Sequence, residues 1–121
     1  MIIAGASRHA KEVLQLLNEI GEEIVLFDDV SLNIDTFFAN YTFLRNLESV
    51  TKSGELNFIL GLGGTQARYK VAQKLKSLGL IINKVIASTA VIGTEEVFIG
   101  NGVNIMNFAF ISNATKIGEG V

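Results

Sequence analysis

The sequence predicts an α/β fold in two parts: a strand–helix domain over residues 1–86, then the start of a β-helix over 87–121. Three observations predict it. Strand and helix signals alternate through the first part, which calls for a parallel sheet with right-handed crossovers. Helical periodicity then stops at Ile86. Beyond it, isoleucine stands at 99, 105, 111 and 117, each six residues after the last.

The first strand is the apolar run "MIIA", closed by Gly5. Ala10, Val13, Leu14, Leu17 and Ile20 follow at helical spacing, with Lys11, Glu12, Gln15 and Glu19 on the opposite face. Ser7 is placed to cap this helix and Gly21 to stop it. "EIVLF" (23–27) is a β-rich run ending at Asp28-Asp29. The next stretch is less regular, and Asn46 is a candidate cap for a short helix through Thr51. "NFILGLG" (57–63) is a third strand, and residues 64–79 form a second clear helix with Ala67, Val71, Leu75 and Leu78 on one face. "LIINKVI" (80–86) reads as a fourth strand.

In the tail, two inner columns can be followed. One runs Ile86, Ile92, Ile99, Ile105, Ile111, Ile117; the other runs Ala90, Val97, Val103, Ala109, Thr115, Val121. The step from Ile92 to Ile99 is seven, so one residue is inserted near Thr94-Glu95-Glu96. A strand has period two and a helix 3.6, so neither sustains a period of six. Coils of a β-helix do, stacking to bury an apolar column. Asn101, Asn104, Asn107 and Asn113 suit its turns. A β-meander would need the spacing to recur by chance at both columns.

Composition narrows the function. The chain has 121 residues, 49% hydrophobic and 18% charged, with net charge −2. It can bury a core, and without a basic run it offers no footprint for nucleic acid or anionic membrane. It has no cysteine, so disulfides and thiolate metal sites are excluded. No run is long enough to span a bilayer, no signal peptide is legible, and a cytoplasmic protein is expected. Proline is absent where average usage would give about six, so turns rest on Gly, Asn, Asp and Ser.

Three clusters follow strand ends. Gly5-Ala6-Ser7-Arg8-His9-Ala10 is a variant of G-x-G-x-x-G/A, with Ser7 at the second glycine and Ala10 at the third. Free N–H groups at such a helix start can hold a pyrophosphate, although a plain strand-to-helix turn has the same pattern. Asp28 and Asp29 stand where dinucleotide folds place a ribose-binding acid, and where any solvated turn could too. Gly63 and Gly64 let the backbone approach a ligand, and Thr65 can cap the helix that follows. Arg68 in its first turn opposes the helix dipole, so it either points to solvent or meets an anion. His9 is the single histidine, a turn residue or a site residue.

The tail resembles the start of the left-handed β-helix of hexapeptide acyltransferases. The front half is similar to the Rossmann-like nucleotide-sugar-binding domain of one branch: bacterial nucleotide-sugar N-acetyltransferases and sialic-acid-type O-acetyltransferases of surface-glycan synthesis. The resemblance rests on "GASRHAKEV", "LFDD", "FILGLGGTQARYKV" and the hexapeptides, in that order. It implies that Gly5, Ser7, His9, Asp28, Asp29, Gly63, Gly64 and Arg68 bind a nucleotide sugar, with Arg68 on the anion and His9 binding or orienting substrate, not moving a proton. It implies acetyl-CoA as donor and a homotrimer for the complete protein. The family's catalytic imidazole lies in the β-helix, and residues 87–121 contain no histidine. By resemblance that imidazole falls just beyond Val121. The chain is therefore expected to be the first portion of a longer enzyme, with no catalytic residue or metal site of its own, and to be a monomer or weak oligomer. A non-catalytic nucleotide-sugar-binding or sensing module is the alternative. A nicotinamide-dependent oxidoreductase is disfavoured by Ser7 and by the tail, and a bare trimerisation unit leaves the three clusters unexplained.

Overall fold

A computed structural model describes residues 1–121. Five strands form one parallel sheet: β1 (Ile2–Ala4), β2 (Val25–Phe27), β3 (Phe43–Leu44), β4 (Asn57–Leu60) and β5 (Ile81–Ile82). Their order is β3-β2-β1-β4-β5. The helices are α1 (Arg8–Ile20), α2 (Leu47–Ser53) and α3 (Thr65–Lys76). This is a Rossmann-like half, and its strand order reverses between β1 and β4, where such sheets open a crevice at their carboxyl ends.

Strand residues alternate between the two faces, so each face has its own core. Ile2, Ala4, Phe27, Phe58 and Leu60 pack with Val50 of α2 and Ala72 and Leu75 of α3. Ile3, Leu26 and Ile59 pack with Ala10, Val13, Leu14, Leu16 and Leu17 of α1. Because both faces are covered, the strands read as unbroken apolar runs. Ile20, assigned to the apolar face of α1, is 61% exposed, and Leu16 is buried in its place. Gly21 stops α1 in the left-handed conformation, as its lack of a side chain permits.

Between β2 and β3 lies a 3₁₀ turn (Thr36–Phe38) that buries Phe38. Neither the turn nor β3 carries a periodic signal, since each is two or three residues long. The short helix expected after Asn46 is α2, closed by a capping box: Asn46 Oδ1 accepts from the Ser49 N–H, and Ser49 Oγ accepts from the Asn46 N–H.

The fourth strand expected over 80–86 is two strands. Ile81–Ile82 joins the sheet beside β4, while β6 (Val85–Ile86) pairs with β9 (Asn104–Ile105) as the first rung of the coils. Asn83 turns the chain between them, its side-chain amide donating to Asn57 Oδ1 and Ile81 O. The remaining rungs are β7 (Val91–Ile92) with β10 (Phe110–Ile111), and β8 (Phe98–Ile99) with β11 (Lys116–Ile117). Three parallel two-stranded faces make the first coils of a left-handed β-helix. Ile99 lies over Ile117 and Ile92 over Ile111, so the extra residue near 94–96 is accommodated within one coil. There the Asn113 side chain accepts from the Glu95 N–H at 3.1 Å.

A second six-residue period underlies the coils. Positive φ falls at Glu96, Gly102, Phe108, Ala114 and Gly120, each just before a residue of the second inner column. Asn101, Asn107 and Asn113 precede three of these corners, as expected of turn residues. Asn104 does not: it lies in β9. Val121, at the end of the second column, is 66% exposed.

A single guanidinium makes several of the bonds that fasten these coils to the sheet domain. Arg68 donates from Nε to Gly120 O at 2.7 Å, from Nη1 to Leu62 O at 2.8 Å and from Nη2 to Gly102 O at 3.2 Å. Gly102 and Gly120 are equivalent corners of successive coils, so the guanidinium clips both to the loop after β4. Burial without a carboxylate partner lowers its pKa. Arg68→Ala would leave three carbonyls unsatisfied and should cost about 2–4 kcal/mol. Arg68→Lys should recover only part of that, because an ammonium lacks the planar fork. Urea denaturation followed by circular dichroism measures both; an unchanged midpoint for Arg68→Ala would show that the clamp is redundant.

Candidate functional site

The crevice at the carboxyl ends of β1, β2 and β4 holds a cleft of about 330 Å³. Gly5, Ala6 and Ser7 line one side, Phe27 to Ser31 the end, and Leu62 with Ala67, Lys70, Val71 and Lys74 of α3 the other side.

The first side is a helix start with its donors free. Gly5 N–H is used, donating to Phe27 O at 2.7 Å. The N–H groups of Ala6, Ser7, Arg8 and His9 have no partner in the chain. Ser7 is the N-cap of α1, yet its side chain makes no capping bond. Its hydroxyl and the amides around it therefore remain available at the positive end of a thirteen-residue helix. Gly5 is obligatory here: its φ is +122°, and a Cβ would come within 2.8 Å of Gly61 O. The turns after β1 and β4 touch at that point.

The acidic pair divides its work. Asp28 is buried, and its Oδ1 accepts from the Val30 N–H at 3.0 Å and the Ser31 N–H at 2.9 Å. Burial alone would raise its pKa, but these bonds, that of the Ser31 hydroxyl and the nearby Arg45 charge outweigh it and hold the pKa below the ordinary value of 3.8. Arg45 also donates to Ser31 O, closing the same loop. Asp29 pairs with Lys74 at 2.7 Å.

The cleft thus brings together Gly5, Ser7, Asp28 and Asp29 of the expected residues. Gly63, Gly64, His9 and Arg68 stand outside its lining. Gly64, with φ +81°, is itself the N-cap of α3, so Thr65 is the first helical residue and makes no cap. Arg68, expected at an anion, is turned to the three carbonyls of the coil clamp. His9 faces the coils as well: Nε2 is 3.0 Å from Asn104 Nδ2, and Nδ1 is 3.4 Å from Glu12 Oε2. Asn104 Nδ2 also donates to Leu60 O at 2.6 Å, which fixes the amide orientation. Nε2 must then accept, so His9 is the Nδ1–H tautomer. Lys70 and Lys74 were not foreseen. The signal was present, since Ala67, Lys70, Val71 and Lys74 fall on one face at i, i+3, i+4 and i+7, but Ala67 and Val71 read as core.

A second cleft, of about 680 Å³, lies between α3 and the coils, lined by Arg68, Tyr69, Lys76 and Glu119 among others. No helix is long and apolar enough to cross a membrane.

The profile of the PglD N-terminal domain matches residues 1–75. Among solved structures, a histidine-to-asparagine mutant of perosamine N-acetyltransferase from Caulobacter crescentus, in complex with CoA and GDP-perosamine, superimposes with a TM-score of 0.83 at 22% identity, over 98% of this chain and 57% of that one. PerB from the same organism, with the same ligands, gives 0.78 at 22% identity, over 98% and 56%. The acetyltransferase domain of PglB from Neisseria gonorrhoeae, in complex with acetyl coenzyme A, gives 0.68 at 18% identity, over 98% and 64%. The chain thus spans between 56% and 64% of the length of these structures. No curated protein matches the sequence.

The Asp28 loop makes an acid-dependent contribution to stability. A depressed carboxyl stabilises the fold above the unfolded value of 3.8, and the contribution is lost as pH falls through the folded value. Asp28→Asn removes the charge at every pH. The stability gap between wild type and variant should be widest at neutral pH and should narrow below 3.8. Thermal melts across that range check it, and a constant gap would show that the Asp28 charge contributes nothing.

Proposed function

The chain belongs to the PglD N-terminal-domain family, and on that premise we propose that it is the nucleotide-sugar-binding part of an acetyl-CoA-dependent N-acetyltransferase. The ligand is a nucleotide-linked amino sugar. The observation that carries the reading is the cleft at the strand-order reversal, with the unpaired N–H groups of Ala6 and Ser7 on one side and the Asp28-Asp29 turn at its end. Phosphate oxygens accept from those amides and from the Ser7 hydroxyl, at the positive end of α1. The nucleoside lies toward β2, where Asp29 and the ordered 28–31 loop present acceptors and amides. Gly5 keeps the phosphate turn against the turn after β4, so the two walls are set before ligand arrives.

Acetyl transfer belongs to the complete protein. Acetyl-CoA would supply an activated acetyl group for attack by the sugar amine. To that donor the coils offer one cation, Lys116, exposed beside the Phe98 ring at 5.9 Å from its centroid. We derive no step through it. His9, the single imidazole, is engaged by Asn104, and that observation favours a second reading, a non-catalytic nucleotide-sugar-binding or sensing module. Val91 and Phe110, paired on one outer face of the coils, are 57% and 70% exposed, which supports a homotrimer for the complete protein and weak self-association for this chain.

Titration calorimetry with UDP-, GDP- and CMP-sugars and with NAD tests the binding, and thiol release from acetyl-CoA tests the chemistry. The expected outcome is binding of a nucleotide sugar without thiol release. Tight NAD binding with no nucleotide-sugar binding would overturn the assignment.

A further inference from the structure

The positive charges of the chain are mostly engaged, and one of the two exceptions lies in the cleft. There are ten lysines and arginines. Lys11, Lys52, Lys74 and Lys76 are in ion pairs with Asp35, Glu48, Asp29 and Glu119. Arg45, Arg68 and Lys84 donate to backbone carbonyls, and Lys116 sits over Phe98. Only Arg8 and Lys70 have no partner, and of these only Lys70 lines the cleft.

Lys70 is exposed and has no partner in the chain. Lys70 and Lys74 stand four residues apart on the cleft face of α3, a like-charge pair that disfavours the helix. Asp29 neutralises Lys74. Nothing neutralises Lys70: the other acid of the cleft, Asp28, is turned into its own loop by the Val30 and Ser31 amides. The cleft therefore offers two separate attractions for negative charge, the free amides at the start of α1 and the Lys70 ammonium on the opposite wall. A diphosphate can satisfy both.

We propose that Lys70 is a specificity-determining residue that contacts the ligand's diphosphate and sets the preference for nucleoside diphosphates over monophosphates. This rests on the nucleotide-sugar reading of the same cleft. The step is binding alone, a charge-assisted hydrogen bond from Nζ to a phosphate oxygen.

The test is calorimetric titration of wild type, Lys70→Gln and Lys70→Arg with UDP, UMP, GDP and GMP at low and moderate salt. Wild type should prefer the diphosphate of whichever nucleoside it binds. Lys70→Gln should weaken diphosphate binding about three- to tenfold, leave monophosphate binding within about twofold and flatten the salt dependence of the diphosphate alone. Lys70→Arg should retain most of the preference. Equal loss for mono- and diphosphate, or no loss, would overturn the role of Lys70 while leaving the cleft a nucleotide site. Failure of wild type to bind any of the four probes would overturn the nucleotide reading itself. Unchanged melting of Lys70→Gln, expected for an exposed side chain, separates binding from folding.

Discussion

The relation between the two halves depends on the Arg68 guanidinium. Only two residues, Asn83 and Lys84, connect the last sheet strand to the first coil rung. Covalent continuity over so short a link limits distance but not orientation. Arg68 supplies orientation, because its three bonds diverge in one plane to Leu62 on the sheet side and to Gly102 and Gly120 on the coil side. The two coil acceptors are corners at which the backbone is left-handed, with φ of +77° and +80°. At Gly102 a side chain would be strained by the positive φ and would press on Ile82, whose Cδ1 lies 2.5 Å from the Cβ position. The glycine lets the coil close on β5, and the close approach brings its carbonyl within reach of α3.

A second strut stands on the other side of the sheet. Asn104 of β9 reaches Leu60 O at the end of β4 and His9 Nε2 in the first turn of α1. Its amide oxygen is buried without a partner. An unsatisfied acceptor in such a place costs free energy, and the two bonds of Nδ2 offset it. Both struts act at the carboxyl end of the sheet, where the turn after β1 and the turn after β4 also meet.

The sequence carried the parts of this arrangement that repeat. Periodic apolar spacing exposed α1, α3 and the six-residue coil, and capping chemistry exposed α2 before a short helix of seven residues could show any period. What it concealed was direction. Arg68 and His9 occupy the positions that the resemblance assigns to ligand, yet both side chains turn to the coils, because the carbonyls of Gly102 and Gly120 and the amide of Asn104 lie there. Those partners are distant in sequence, and no local pattern announces them. Asp28 was legible as a residue of the cleft but not as the organiser of its loop. The break within 80–86 was hidden because a sheet strand and a coil rung are both short apolar pairs, distinguished only by partner.

α3 has a different task on each of its faces, and this joins the cleft to the coils. Ala67, Lys70, Val71 and Lys74 form a wall of the cleft, Ala72 and Leu75 enter the core under the sheet, and Arg68 holds the coil corners. These three faces belong to one rigid helix of twelve residues. A group bound against its cleft face is therefore held at a fixed offset from the coils, set by the 1.5 Å rise and 3.6-residue turn of the helix itself. The same geometry accounts for the weak apolar face of α3. A helix that buries all its apolar residues against one core can show a wide stripe, but one that serves a cleft, a core and a clamp must divide its surface among them. Leu78, assigned to the apolar stripe, lies beyond the helix end and is 36% exposed, while Ala67 and Val71 face the cleft. The sequence spacing that read as core is shared between the core, which Val71 and Leu75 contact, and the cleft wall, which Ala67 and Val71 line.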